Sequence, residues 1–107
     1  ESWGADDISE SGYSFVGAVV GATYPAQAMK LREIMPDTIF LVPGYGAQGG
    51  GAEDVKPCFK DGKGAIVNSS RGITFAYEKS DKFTEKEYAE AAREAVEAMK
   101  KDLAQVL

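Results

Sequence analysis

Phe15-Val-Gly-Ala-Val-Val-Gly-Ala22 is an almost unbroken apolar run that includes β-branched residues. That is the pattern of a strand buried on both faces, as in a parallel sheet. Thr23-Tyr24-Pro25 then changes the period. Pro25 suits the first turn of a helix, and Ala28, Leu31 and Met35 recur at helical spacing before Pro36 stops the run. The order repeats downstream: Thr38-Ile-Phe-Leu-Val42 reads as a second strand, Pro43 to Gly51 as a glycine-rich loop, and Ala52 to Lys60 as a weak helix despite Pro57. Gly64-Ala-Ile-Val-Asn68 reads as a third strand running into Ser69-Ser-Arg-Gly72, after which Ile73 to Tyr77 is apolar but too short to assign. Thr84 opens the clearest helix, because Glu87 completes a capping box with it. Tyr88, Ala92, Ala95, Met99, Leu103 and Val106 then draw one apolar stripe, opposite a mixed Glu/Lys face that reads as solvated.

Three strand-to-helix units predict a parallel α/β sheet with right-handed crossovers and ligand-binding loops at the carboxyl ends of the strands. Three strands make a thin sheet with two open edges, and the first is too apolar to meet water there. The chain therefore reads as part of a larger sheet, either a doubly wound fold or a barrel.

Composition narrows the chemistry. The 107 residues have room for one hydrophobic core. No apolar run approaches the roughly 18 residues of a membrane helix, and the acidic start Glu1 to Glu10 does not resemble a signal peptide. Twelve Lys and Arg against seventeen Asp and Glu leave a net charge of −5, the wrong sign for a protein that grips duplex nucleic acid. One cysteine, Cys58, reads as a small buried residue. With no histidine, the chain offers little for a zinc site and contains no Ser-His or Cys-His nucleophile arrangement. Its chemistry must come from Lys, Asp, Glu or backbone dipoles.

Pro43-Gly-Tyr-Gly-Ala-Gln-Gly-Gly-Gly51 holds five glycines in nine residues and sits between a strand and a helix start. Glycines there allow positive φ and let backbone N–H groups approach an anion closely. The segment is not a Walker loop, since no Gly-Lys-Ser/Thr follows. As a dinucleotide fingerprint, Gly44, Gly46 and Gly49 match only weakly, because Asn68 stands where an acidic residue is needed. Arg71, just after the third strand, is expected at the same sheet end and beside Gln48, where a forked guanidinium and an amide N–H can hold phosphate oxygens. In an eight-stranded α/β barrel the loops after the last two strands commonly bind phosphate.

Val19-Val-Gly-Ala-Thr23, Pro43-Gly-Tyr-Gly-Ala-Gln-Gly-Gly50 and Val67-Asn-Ser-Ser-Arg-Gly72 together resemble the last three strand-loop units of orotidine 5′-phosphate decarboxylases, in the longer bacterial branch that carries Tyr at the position of Tyr45. The resemblance implies that residues 1–107 are the C-terminal portion of a TIM (β/α)8 barrel. They would supply strands six to eight and the final helix, with Glu1 to Ser11 as the end of the fifth helix or its connection. It implies conversion of orotidine 5′-phosphate to UMP and CO2 in pyrimidine synthesis, without metal or organic cofactor, by a cytoplasmic homodimer whose partners here are the nucleotide and the N-terminal part of the barrel. Neither nucleic acid nor membrane is implied. Gln48 and Arg71 match the side chains that grip the 5′-phosphate, with the backbone N–H groups of Ser70 and Arg71 assisting. Pro43, Gly44, Tyr45, Gly46 and Gly49 match the loop over the substrate. The catalytic Asp-Lys-Asp cluster of the family has no counterpart. Asp61-Gly-Lys63 approaches that spacing but precedes the last strand, at the wrong end of the sheet. Two other readings are a phosphate-binding barrel of the same superfamily, such as a hexulose-phosphate synthase or a keto-gulonate-phosphate decarboxylase, and a small non-catalytic, flavodoxin-like nucleotide-binding module.

Overall fold

The computed structural model describes residue 4, residues 8–46 and residues 50–107. Its core is a three-stranded parallel sheet of β1 (Ala18–Val19), β2 (Phe40–Val42) and β3 (Ala65–Val67), lying side by side in chain order. Around it run α1 (Pro25–Ile34), α2 (Ala52–Val55), α3 (Ser70–Thr74) and α4 (Tyr88–Ala104). Each strand thus neighbours the one before it. That is the order of consecutive barrel staves.

The first strand is shorter than its apolar run, although ladder bonds continue past it: Val20 N–H donates to Leu41 C=O at 2.9 Å and Ala22 N–H to Pro43 C=O at 2.8 Å. Nor is it buried on both faces. Val20, Ala22, Phe40 and Val42 lie under the helices with Ala28, Val55 and Cys58, while on the other face Val19 is 71% exposed and Ile66 60%. Val19, Leu41 and Ile66 pair across the sheet as one apolar row, and nothing among the described residues covers it. A single helical layer on one face gives a Cα radius of gyration of 15.5 Å, against roughly 13 Å for a compact chain of this length.

Pro25 begins α1 as expected. Pro57 cuts the second helix to a single α-helical turn followed by a 3-10 turn at Lys56–Cys58, since proline has no N–H to continue an α-helical ladder. Residues 70–79, only partly assigned from sequence, form α3 and a 3-10 turn at Ala76–Lys79. The Thr84–Glu87 capping box is present, with Thr84 N–H donating to Glu87 Oε1 at 3.2 Å. The apolar stripe of α4 is rotated slightly from its expected position: Ala91 and Met99 are buried, whereas Tyr88 is 61% exposed. Residues 8–14 form a turn closed by an Ile8–Ser14 antiparallel bridge. Asp61 and Gly62, at φ +54° and +75°, make the mirror-image turn favoured by Asp-Gly, closed by the Lys60–Lys63 bridge. This turn explains Asp61-Gly-Lys63 without catalysis.

Arg32 locks the amino end of the sheet. It is 7% exposed and has no carboxylate partner among the described residues. Nε and Nη2 donate to Cys58 C=O at 2.8 and 2.6 Å, Nη2 also to Gly64 C=O at 2.9 Å, and Nη1 to Thr38 C=O at 2.7 Å and Met35 C=O at 3.0 Å. The guanidinium lies 3.8 Å over the Phe40 ring centroid. One side chain therefore joins α1, the turn after α2 and the approaches to β2 and β3. Cys58 is fully buried, and burial pushes its thiol pKa up while the Arg32 charge opposes the shift. It is an inert core residue.

Candidate phosphate site at the carboxyl end of the sheet

The ladder delivers two loops to the same place. Ala22 N–H bonds Pro43 C=O, and Asn68 N–H bonds Val42 C=O at 3.2 Å, so the roots of the β2–α2 and β3–α3 loops lie side by side. Between them is a cleft lined by Pro43, Gly44, Tyr45, Asn68, Ser69, Ser70 and Arg71. Of the residues expected to bind phosphate or cover substrate, Pro43, Gly44, Tyr45, Ser70 and Arg71 thus converge. Gly46 lines the adjoining cavity with Tyr45 and Ser69. Gln48 and Gly49 lie outside the described residues.

Gly44 and Gly46 have φ of +99° and +78°, a region that side-chain-bearing residues enter only with strain. They let the loop fold back: Gly46 N–H donates to Gly50 C=O at 2.7 Å, and Gly50 N–H to Gly44 C=O at 3.1 Å. On the other loop, α3 starts at Ser70 and Ile73 N–H is the first to reach back, to Ser69 C=O at 2.9 Å. The N–H groups of Ser70, Arg71 and Gly72 precede that bond and have no helical acceptor. A Cβ at Gly72 would stand 2.4 Å from Ser69 Oγ, so that hydroxyl would have to turn away. Arg71 is exposed, and no carboxylate among the described residues pairs with it. The cleft therefore offers forked cationic donors and backbone N–H groups, the chemistry of an oxyanion ligand.

Three contributors were not picked out from sequence. Ser69 Oγ donates to Tyr45 C=O at 3.2 Å, tying the loops together. Asn68 lines the cleft with its Oδ1 buried and without a partner among the described residues. Asp102, on α4, accepts a hydrogen bond from the Tyr45 hydroxyl. Tyr45 is thereby held toward α4, and burial, then this bond, pushes its pKa up to about 12.

Comparison with known proteins bears out the resemblance carried by the two loops. The chain is 46% identical over all its 107 residues to orotidine 5′-phosphate decarboxylase of Clostridium tetani, and covers 36% of that protein. Over 75 residues it is 55% identical to the Rhodopirellula baltica protein of the same name. Among solved structures, a Toxoplasma gondii protein described as a putative orotidine-monophosphate-decarboxylase superposes with a TM-score of 0.62 at 31% identity, over 94% of this chain and 32% of that one. Leishmania donovani UMP synthase gives 0.57 at 36% identity, over 79% and 18%. No family model matches the chain. The chain spans about a third of the length of the curated relatives it matches. With its parallel sheet and paired loops, this chain is thus similar along its length to a portion of the orotidine 5′-phosphate decarboxylases, whose solved neighbours are TIM barrels.

Proposed function

We propose that this chain is the C-terminal third of an orotidine 5′-phosphate decarboxylase barrel, supplying strands six to eight and the loops that hold the substrate's 5′-phosphate. The observation that carries this reading is the cleft where the glycine-rich loop root meets Ser70 and Arg71. A dianion there would meet the Arg71 guanidinium and the N–H groups of Ser70 and Arg71, with Gln48 of the glycine-rich loop completing the grip. The open Val19–Leu41–Ile66 row supports the barrel: such a face needs further strands against it. It speaks equally against a self-contained nucleotide-binding module. The names of the relatives favour decarboxylation over the other sugar-phosphate barrels.

In the reaction proposed for the whole protein, the C6–carboxylate bond of orotidine 5′-phosphate breaks and CO2 leaves. The electron pair stays at C6 until an ammonium group delivers a proton and UMP forms. The lysine and aspartates for that step belong to the preceding part of the barrel, in a cytoplasmic homodimer. Residues 1–107 act at a distance from C6. Phosphate contacts that strengthen as the loop closes contribute to orientation and desolvation at the reacting carbon.

The test is the ratio of kcat/KM for nucleotide over nucleoside in the full-length protein. Arg71→Ala should lower the nucleotide value by roughly 3 kcal/mol of transition-state binding and leave the nucleoside nearly untouched. Gln48→Ala should cost less, about 1–2 kcal/mol, and the pair should be non-additive because both grip one group. An equal loss on both substrates would assign Arg71 to the architecture of its loop and remove the phosphate reading.

A further inference from the structure

Tyr45 makes two side-to-side attachments from the middle of a backbone bridge in the glycine-rich loop. Its neighbours Gly44 and Gly46 bond Gly50 on either side of it, its carbonyl accepts from Ser69 Oγ, and its hydroxyl donates to Asp102 Oδ2, fifty-seven residues along the chain. Tyr45 lines two spaces: the cleft with Pro43, Asn68 and Arg71, and the cavity with Ile73, Met99 and Asp102 beside α4. Tyr45 is therefore a wall between the candidate phosphate cleft and the final helix.

Asp102 is the less expected partner. It lies in the last turn of α4, which ends at Ala104, where the negative end of the helix macrodipole opposes a carboxylate. It also lies on the inward side, between Met99 and Leu103 or Val106, where the pattern calls for an apolar residue. A half-buried carboxylate in that position is unfavourable unless a donor meets it, and the Tyr45 hydroxyl is that donor. Because burial and the bond hold the phenol protonated well above neutral pH, it remains a donor across the range in which enzymes work.

We propose that Tyr45 and Asp102 form a latch that fixes the root of the glycine-rich loop against α4, so that this loop and the Ser70–Arg71 turn receive phosphate in one register. Both are positioning residues that act through the loop. The proposal rests on the phosphate reading above.

The experiment compares Tyr45→Phe, Asp102→Ala and Asp102→Asn in the full-length protein, with Arg71→Ala as reference. Tyr45→Phe and Asp102→Ala should each lower kcat/KM for the nucleotide about tenfold, mainly through KM, and leave the nucleoside value within about twofold. Asp102→Asn keeps an acceptor oxygen and should return most of the loss. The double variant Tyr45→Phe/Asp102→Ala should be no worse than either single variant. Equal losses on nucleotide and nucleoside, or losses that multiply in the double variant, would overturn the latch. If Asp102→Ala does not fold, Tyr45→Phe against Asp102→Asn gives the same decision. Should Arg71→Ala separate the two substrates while the latch variants do not, the latch alone is wrong. Should Arg71→Ala fail to separate them, the phosphate reading falls and the latch with it.

Discussion

Arg32 and Arg71 stand at opposite ends of the same three strands. Arg32, at the amino end, is buried and gives its N–H groups to the carbonyls of Cys58, Gly64, Thr38 and Met35. Arg71, past the carboxyl end of β3, is exposed in a cleft and pairs with no carboxylate among the described residues. The same functional group is saturated by the chain in one place and left open in the other. The difference separates architecture from binding: a guanidinium whose donors are all used can hold backbone together, and one with donors to spare can hold a ligand.

The largest expected effect is at the amino end. Arg32→Ala strands several inward-facing carbonyls and removes the cation stacked on Phe40, so it should cost roughly 3–5 kcal/mol of stability, read as a lower urea midpoint of the full-length protein. Arg32→Lys should recover only part of this, because an ammonium cannot span carbonyls spread around a planar fork. A loss below about 1 kcal/mol would break the comparison, since Arg32 would then be no more structural than a surface charge.

A smaller effect separates the ends by pH. The Tyr45 pKa is about 12 in the folded chain against an ordinary 10.0. The unfolded state therefore releases the proton first, and the stabilisation from the Tyr45–Asp102 bond is complete below pH 10 and fades as pH rises through 12. The difference in urea midpoint between the parent protein and Tyr45→Phe should shrink over that window. A difference independent of pH up to 12 would show that the hydroxyl is not engaged as described.

The alternation of strands and helices was legible because apolar runs and helical stripes are local patterns, and the Thr84–Glu87 cap and Pro25 start lie within single turns. The convergence of Pro43, Gly44, Tyr45, Ser70 and Arg71 was legible too, since parallel strands must bring successive loops to one end. What escaped were residues whose meaning depends on distant partners. Arg32 follows Ala28 by one helical turn, and Asp102 follows Met99 by three residues; both are charges on otherwise apolar stripes. Such an interruption shows that a partner must exist, but the most distant partners lie 32 and 57 residues away. Exposure of Val19 and Ile66 was equally hidden, because an apolar strand reads the same whether or not its second face is covered. Pro57 was visible, but how far it would shorten α2 depended on the packing of the following turn.

Ligand-induced thermal shift in Arg71→Ala of the full-length protein, with UMP and uridine as the two ligands, separates a sheet whose amino end holds the fold and whose carboxyl end holds phosphate from one in which both arginines are structural. The expected result is an unliganded Tm close to that of the parent, a shift with UMP reduced most of the way to that with uridine, and an unchanged shift with uridine. A Tm that falls sharply without ligand, together with a UMP shift that survives, would place Arg71 in the architecture alongside Arg32 and remove phosphate binding from this end of the sheet.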